Sequence, residues 1–286
     1  MPAFEPAGDD SSRRRDALAE MRLVWTAAMV FADAMSLTYK TIGEVLVELD
    51  ATIAVARARG SADGYFAALY RRVTAEVEAR IARGAFQDGP RMARFDIIFA
   101  SRYVDAWKQR ERGESPAATW AVAFECDRHY WPVVLQHLLV GMNAHINLDL
   151  GIAAAEVAPG ASIHALEHDF NLINDILCEM VDDVQDRLGK IWPAMRMIDR
   201  ICDDFDESVI HFSIRHARAQ AWAMAVKLAT APDEAARLAH IQIVDPAMAA
   251  LGRRVLNPGI KLSLMLAWVR FRERGSVAEK VDVMLR

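Results

Sequence analysis

Hydrophobic residues recur every three or four positions along most of the chain, which is the spacing of one face of an amphipathic helix. No stretch keeps the alternation of a β-strand for long, and no fixed-period repeat is visible. The pattern therefore predicts an all-α protein, a bundle of about ten helices. The predicted helices span about residues 14–36, 38–59, 62–83, 90–111, 116–129, 132–156, 162–189, 193–230, 233–255 and 259–273.

The domain organisation follows from where polar and flexible residues collect. Residues 1–12 are rich in Pro, Gly, Asp and Ser, so we expect them to form a mobile, disordered tail. No linker interrupts the helical pattern after this point. We therefore predict one helical domain over residues 13–286.

The predicted helix over residues 132–156 has apolar side chains on every side, which indicates a central helix buried by its neighbours. Between Pro132 and Ala155 the only formally charged residue is Asp149, so a membrane span has to be considered. Four strongly polar residues interrupt the apolar sequence, namely Asn143, His145, Asn147 and Asp149. These favour the core helix of a soluble protein, and we expect no membrane span.

On a helical wheel these polar residues fall into two lines. Gln136, Asn143 and Asn147 lie close together, whereas His145 and Asp149 share a second line on a different side. A buried polar side chain without a partner costs about 2 kcal/mol or more, so each needs one. One interpretation is structural: the amides tie neighbouring helices together and His145 pairs with Asp149. The other is that the HxxxD spacing presents two ligands to a metal ion.

The predicted helix over residues 162–189 offers candidates to complete a metal site. Asp169 falls inside its apolar arc, so its carboxylate must be buried and partnered, and Asn174 lies at the edge of the same arc. We expect Asp169 to face His145 and Asp149, with His168 as a further ligand. A histidine with carboxylates suits a divalent ion such as iron, manganese or zinc.

A second pair of charges falls at apolar positions of the helix that begins near Pro90. Arg102 lies among apolar residues, and Asp96 lies between Tyr103 and Trp107 on the wheel. The pattern predicts that Arg102 and Asp96 form a salt bridge in the core.

Composition and charge indicate which partners are excluded and in which compartment the protein is expected. A net charge of −5 and a pI near 5.9 argue against nucleic acid as a partner. The three cysteines form no CxxC pair, which is typical of a reducing compartment, so we expect a cytoplasmic protein. Residues 23–37 loosely resemble a signal peptide, but Glu20, Arg22 and Asp33 favour an amphipathic first helix.

Two stretches carry a family resemblance. LLVGMNAHINLDLGIAAA at residues 138–155 and HDFNLIND at residues 168–175 resemble an uncharacterised family of bacterial helical proteins, known only as a domain of unknown function. The resemblance covers most of the chain. Its core residues are Asn143, His145, Asn147, Asp149, Asp169 and Asn174. It supports the location of a site and supplies no activity.

Our leading hypothesis from the sequence is a metal-dependent enzyme acting on a small, fairly apolar molecule held between helices. His145, Asp149, Asp169 and His168 would hold the ion. Asn143, Asn147 and Asn174 would orient the substrate or a water. The alternative from another class is a non-catalytic protein that binds an apolar ligand or a partner, in which the buried polar residues fix helix packing. The sequence leaves the oligomeric state open.

Two known classes of enzyme match less well. The stretch NDILCEMVD at residues 174–182 is similar to the second metal motif of class I terpene cyclases, but Cys178 and Asp182 replace two of its residues. The aspartate-rich motif that those enzymes carry upstream is missing. Helical zinc phospholipases and nucleases use HxxxD pairs, but they need more ligands and an exported precursor.

Overall fold

A computed structural model describes residues 38–174, 176–177 and 214–286, without the side chain of Arg215. The predicted helix over residues 14–36 lies outside the described residues, as do parts of the predicted helices over 162–189 and 193–230. Helices make up most of the described residues, which contain no strand. The predicted all-α class is therefore confirmed.

Where the described residues allow the comparison, the boundaries of the predicted helices lie within about four residues of the observed ones. The helices are α1 (Ile42–Arg59), α2 (Asp63–Ala82), α3 (Gly89–Glu111), α4 (Ala118–Glu125), α5 (Val134–Val157), α6 (163–174), α7 (Ile214–Ala229), α8 (Glu234–Leu256), α9 (Ile260–Arg272) and α10 (Val277–Leu285). Tyr39–Arg286 form one compact unit.

Helix α10 was not predicted. Its start carries a capping box, in which Ser276 accepts from the backbone N–H of Glu279 and the Glu279 side chain accepts from that of Ser276. This S-x-x-E signature is present in the sequence and marks a helix start. The helix packs Val281 and Met284 into the core formed by α1, α2 and the first half of α5.

Aspartates from elsewhere in the chain accept hydrogen bonds from backbone N–H groups at or just before the starts of three helices. A carboxylate at a helix N-terminus accepts these hydrogen bonds and interacts favourably with the helix dipole. Asp127 accepts from Ala62 N at 2.6 Å, Asp169 from Gln87 N and Asp88 N at 2.8 and 2.9 Å, and Asp245 from Ala118 N and Thr119 N at 2.7 and 2.8 Å. These aspartates fix the starts of α2, α3 and α4 to other parts of the fold.

Helix α5 is the central helix, and α2, α3, α4, α7 and α8 pack around it. By length and composition α5 could cross a membrane. It has 24 residues, and an 18-residue window within it has a mean hydropathy of 1.3. Within the protein 89% of that window is buried. A buried core helix passes the same test, so the finding is weak support for a span.

Helix α5 is not a regular α-helix along its whole length. An α-helical part, Val134–Ala144, leads into a π-helical turn at His145–Asp149, and the α-helix resumes at Leu150–Val157. The backbone N–H of Leu150 donates to the carbonyl of His145, five residues back. Such π turns are rare and are frequent at functional sites. This turn contains His145, Asn147 and Asp149.

Helices α5 and α7 approach so closely at Gly151 that a side chain would not fit. A Cβ atom at this position would lie 2.9 Å from the Ala221 carbonyl oxygen and 3.1 Å from Met224 Cγ. The backbone oxygen belongs to a packed helix and has little freedom to move. Glycine at this position therefore allows α7 to pack against the segment that follows the π turn.

We predict that Gly151→Ala lowers the free energy of unfolding by about 1–3 kcal/mol through overpacking. Urea denaturation measures the change. The control is Gly43→Ala in α1, where only the Thr41 hydroxyl lies within 4 Å, at 3.8 Å, and no loss is expected. Equal stability of the Gly151→Ala variant and the wild type would contradict the close approach of α5 and α7.

Candidate functional site

The candidate site is the π turn of α5, where His145 and Asp149 contact each other. His145 Nδ1 lies 3.3 Å from Asp149 Oδ2, and both residues are only 2% exposed. The two side chains are four residues apart, and the structure brings them together as their spacing predicted. An imidazole and a carboxylate are thus paired in the core.

Asp149 has two further partners from neighbouring helices. Arg102 of α3 donates from Nε to Oδ1 at 2.9 Å, and Trp120 of α4 donates from Nε1 to Oδ2 at 2.8 Å. Burial alone would raise the pKa of Asp149, but the Arg102 guanidinium, together with His145 and Trp120, holds it below its usual value. Asp149 is therefore ionised at neutral pH.

The predicted salt bridge between Arg102 and Asp96 is replaced by this arrangement. Arg102 pairs with Asp149 and lies 3.7 Å from a carboxylate oxygen of Glu156. The wheel showed correctly that Arg102 is an unusual charge on an apolar face, but the tertiary fold decides which carboxylate it meets. Trp120 gave no signal in the sequence, because a tryptophan in an apolar helix is usually a core residue.

His145 is neutral, and its proton position follows from its partner. Burial lowers the pKa of His145, and although Asp149 opposes this effect the net direction is downward. An ionised carboxylate only accepts hydrogen bonds, so the Nδ1 atom of the neutral ring must carry the proton. Nε2 therefore presents a lone pair, and it is buried with no hydrogen-bond partner among the described residues.

Within the described ranges, five aromatic rings surround the imidazole and form what we call the aromatic cage: Phe66, Tyr70, Phe99, Tyr103 and Trp120. Their ring centroids lie between 3.7 and 6.4 Å from that of His145. Phe99 stacks on the imidazole at 3.7 Å with an interplanar angle of 10°. It is also the one ring of the cage that is half-buried, since the other four are at most 7% exposed.

The fit of the cage depends on Gly141, one turn before His145 on α5. A Cβ atom there would lie 2.6 Å from Phe66 Cδ2, so only glycine lets the Phe66 ring reach its position. Phe66 in turn contacts Tyr70, Tyr103 and Trp120. The sequence did not reveal the cage, because its aromatic residues lie on three helices and look like ordinary core positions.

Asp96 of α3 forms a second buried polar position, next to the cage. Burial, with a contribution from Glu78, raises the pKa of Asp96 to about 8, so it is protonated at neutral pH. Its Oδ2 atom has no hydrogen-bond partner among the described residues, and neither does the hydroxyl of Tyr103. Asp96 also contributes to raising the pKa of Tyr70, after burial itself. A neutral carboxyl group is thus buried beside the cage.

The predicted amide line ties α5 to α8. Asn147 Nδ2 donates to Asn143 Oδ1 at 3.0 Å, Asn143 Nδ2 donates to the Met248 carbonyl at 2.8 Å, and Gln136 Nε2 donates to the Val255 carbonyl at 2.9 Å. These contacts fit the structural interpretation of the amides. Asn147 Oδ1 has no partner among the described residues, so it is the one amide atom of this line that is free for a ligand.

The structure does not bring Asp169 to His145 and Asp149. Asp169 is fully buried, as predicted, but its carboxylate accepts from Gln87 N and Asp88 N before α3. Asp149 binds Arg102 instead. Arg102 lies fourteen residues after Asp88 along α3, which at 1.5 Å per residue is about 20 Å. Asp169 and Asp149 therefore contact α3 at points that lie far apart. Burial would raise the pKa of Asp169, but the two backbone N–H groups, with His168 and Arg91, lower it.

His168 and Asn174 also lie away from His145. The His168 side chain is largely exposed, with Nδ1 3.4 Å from Asp169 Oδ1. Asn174 Oδ1 accepts from Arg218 Nε, and Arg218 also donates to the Phe170 carbonyl. The predicted ligands His145, Asp149, Asp169 and His168 thus form two separate pairs. Within the described ranges, no three His, Cys, Asp or Glu side chains come together to hold a metal ion.

A groove of about 580 Å³ lies elsewhere in the fold, between α4, the end of α8, the first half of α9 and the start of α5. His129, Trp131, Gln136, Arg253 and Leu266 are among the residues that line it. It shares no residue with the aromatic cage. The groove and the buried dyad are therefore different places.

Comparison with protein-family models matches residues 42–258 to a family described only as a family of unknown function (DUF5995). The matched range contains all of the predicted site residues and the whole aromatic cage. No curated protein and no solved structure matches the chain.

We predict that Asp96→Asn increases stability at neutral and higher pH. An unfolded aspartate ionises near pH 4, whereas folded Asp96 stays protonated up to about pH 8. The folded state therefore binds one more proton over this range, and the wild type loses stability as pH rises. At about 1.4 kcal/mol per pH unit, the variant should gain a few kcal/mol over the wild type by pH 8 and nothing near pH 4.

Urea denaturation of both proteins from pH 4 to pH 8 measures this difference. Asp50→Asn is the matched control, because Asp50 is exposed on α1 and pairs with Arg71 at the surface. A difference between Asp96→Asn and the wild type that does not grow with pH would contradict a buried, protonated Asp96.

Proposed function

Because the chain belongs to a family of unknown function, we propose its function from the site itself: an enzyme that acts on a small, fairly apolar molecule held between helices, with His145 as the acid–base group. The observation that carries this proposal is the state of the imidazole. Asp149 holds Nδ1, and the buried Nε2 lone pair has no partner in the part of the chain that the structure describes.

A histidine in this arrangement is suited to remove a proton. The neutral ring accepts a proton at Nε2 only, because the hydrogen bond to Asp149 occupies Nδ1. Once protonated, the imidazolium would be stabilised by the ionised Asp149 next to it, as in other His–Asp pairs. Asp149 would act as a positioning residue, and Arg102 and Trp120 would hold it in place.

The walls of the cage indicate the class of substrate. Five aromatic rings pack around the imidazole, so an apolar or aromatic group that displaced one of them would find favourable contacts there. Phe99 lies flat on the imidazole and is partly exposed, so a ligand that replaced its ring would enter from this side. The protonated carboxyl of Asp96 could donate a hydrogen bond to a polar group of the same molecule.

The sequence also predicted a divalent metal ion, but the surroundings of the predicted ligands Asp149 and Asp169 do not fit a metal site. Asp149 already accepts hydrogen bonds from an arginine and an indole, and a positive guanidinium beside the carboxylate opposes a second cation. Asp169 is engaged with backbone N–H groups. The proposal therefore assigns proton transfer to His145 and no step to a metal.

A non-catalytic binding protein is the second candidate function. The bonds from Asn143 and Gln136 to carbonyls of α8 favour it, since they give the amides a role in packing alone. The cyclase-like alternative depends on residues 174–182. Asn174 is bonded to Arg218, and Cys178 and Asp182 lie outside the described residues.

The test is to incubate the purified protein with a mixture of small apolar and aromatic compounds and to follow their consumption by mass spectrometry. We predict that the wild type converts at least one compound and that His145→Gln does so at least about a hundredfold more slowly, because the general base is lost. His164→Gln is the matched control, since His164 is exposed on α6 and should leave the rate unchanged.

Equal conversion by His145→Gln and the wild type would contradict the proposal. Stoichiometric binding of a compound without conversion would favour the binding protein instead. Elemental analysis of the same samples tests the metal prediction. Stoichiometric iron, manganese or zinc in the wild type, absent from His145→Gln, would support a metal site at His145.

A further inference from the structure

Helix α9 has two apolar faces, whereas a surface helix of a globular protein usually has one. The inner face packs Leu266 and Val269 against Val133 at the start of α5, with Leu262 and Met265 beside them. The outer face carries Ile260, Leu264, Trp268 and Phe271, which are between 41% and 83% exposed. At 100° per residue these four side chains form one stripe along the helix.

The outer stripe continues onto the loop before α5. The Trp131 ring lies 6.0 Å from that of Phe271, and the Tyr130 ring lies 5.5 Å from that of Trp131. Both residues are more than half exposed. We call the surface formed by Ile260, Leu264, Trp268, Phe271, Tyr130 and Trp131 the aromatic face. A contiguous exposed apolar patch of this kind marks an interaction site.

Basic residues accompany the aromatic face, although the whole chain has a net charge of −5. Residues 253–274 contain six basic residues and one acid. The side chain of that acid, Glu273, is only 4% exposed and is paired with Arg270 and Lys280. Lys261 and Arg272 are exposed and lie beside the outer stripe, and the Arg272 guanidinium lies 4.9 Å from the centre of the Trp268 ring.

We propose that the aromatic face binds the surface of a lipid bilayer that contains anionic lipids. Exposed aliphatic and aromatic side chains flanked by Lys and Arg are the pattern of helices that lie in the membrane interface. Trp and Tyr favour the headgroup region, and the basic residues are attracted to anionic headgroups. With 13 residues, α9 is about 20 Å long, too short to cross the hydrocarbon core of about 30 Å.

Charge argues against a second copy of the chain as the occupant. A symmetric dimer through this face would bring two sets of basic residues together, with no exposed acid on α9 to compensate them. The proposal does not depend on the His145 site, since the two share no residue. Helix α9 also lies beyond the matched family range, which ends at residue 258.

The test is co-sedimentation of the full chain with vesicles of phosphatidylcholine alone and with added phosphatidylserine. We expect binding to the vesicles that contain phosphatidylserine, and weaker binding at high salt because the attraction is screened. Leu264→Ser with Phe271→Ser should lower the partition coefficient by about tenfold or more. Lys261→Gln with Arg272→Gln should lower it by about fivefold for each charge.

The matched control is Val47→Ser with Ile243→Ser, which removes two equally exposed hydrophobic residues from α1 and α8 and should not change binding. Absence of binding to phosphatidylserine vesicles would overturn the proposal, as would unchanged binding by Leu264→Ser with Phe271→Ser. A dimer in solution that this double variant converts to a monomer would also overturn it, because a second copy would then cover the face.

Discussion

The buried charge of Asp149 is the constraint on which the centre of this fold depends. A carboxylate that is 2% exposed is stable only if its environment replaces water, and here three side chains do so. Arg102 comes from α3, Trp120 from α4 and His145 from α5 itself. The same interactions therefore neutralise the charge, fix the packing of three helices and orient the imidazole.

The π turn and the aromatic cage make this arrangement possible. The turn places His145, Asn147 and Asp149 in one irregular segment of an otherwise apolar helix. Tertiary contacts hold this irregular turn in place: the polar contacts to α3, α4 and α8, and the rings stacked around His145. The result is a neutral imidazole, enclosed by rings that exclude water, with one nitrogen that has no hydrogen-bond partner among the described residues. This combination is the physical basis of the proposed acid–base chemistry.

Much of the fold could be predicted from the sequence, because helical periodicity and Gly or Pro breaks are local signals. The pairing of His145 with Asp149 was also accessible, since both lie in one helix at a spacing that brings side chains together. For Asp169, in contrast, the sequence predicted burial but not the partner. Its position in an apolar arc showed that it is buried and partnered, but a helix N-terminus satisfies a carboxylate as well as a metal does.

Contacts between distant elements were the part that sequence could not supply. Arg102 was recognised as a charge at an apolar position and assigned to Asp96, because both lie on α3, yet its side chain is half-buried and its partner is on α5. The cage residues were not recognised, since each ring fits an ordinary core pattern on its own helix. The π turn has no local sequence signal either, because it depends on contacts with the surrounding helices.

The state of His145 is the central claim, and nitrogen-15 NMR of the imidazole tests it most directly. The account predicts a neutral ring at neutral pH with its proton on Nδ1, because burial lowers the pKa of His145. The exposed His164, assigned with a His164→Gln variant, provides an internal comparison. A proton on Nε2, or a charged His145 ring at neutral pH, would contradict the account.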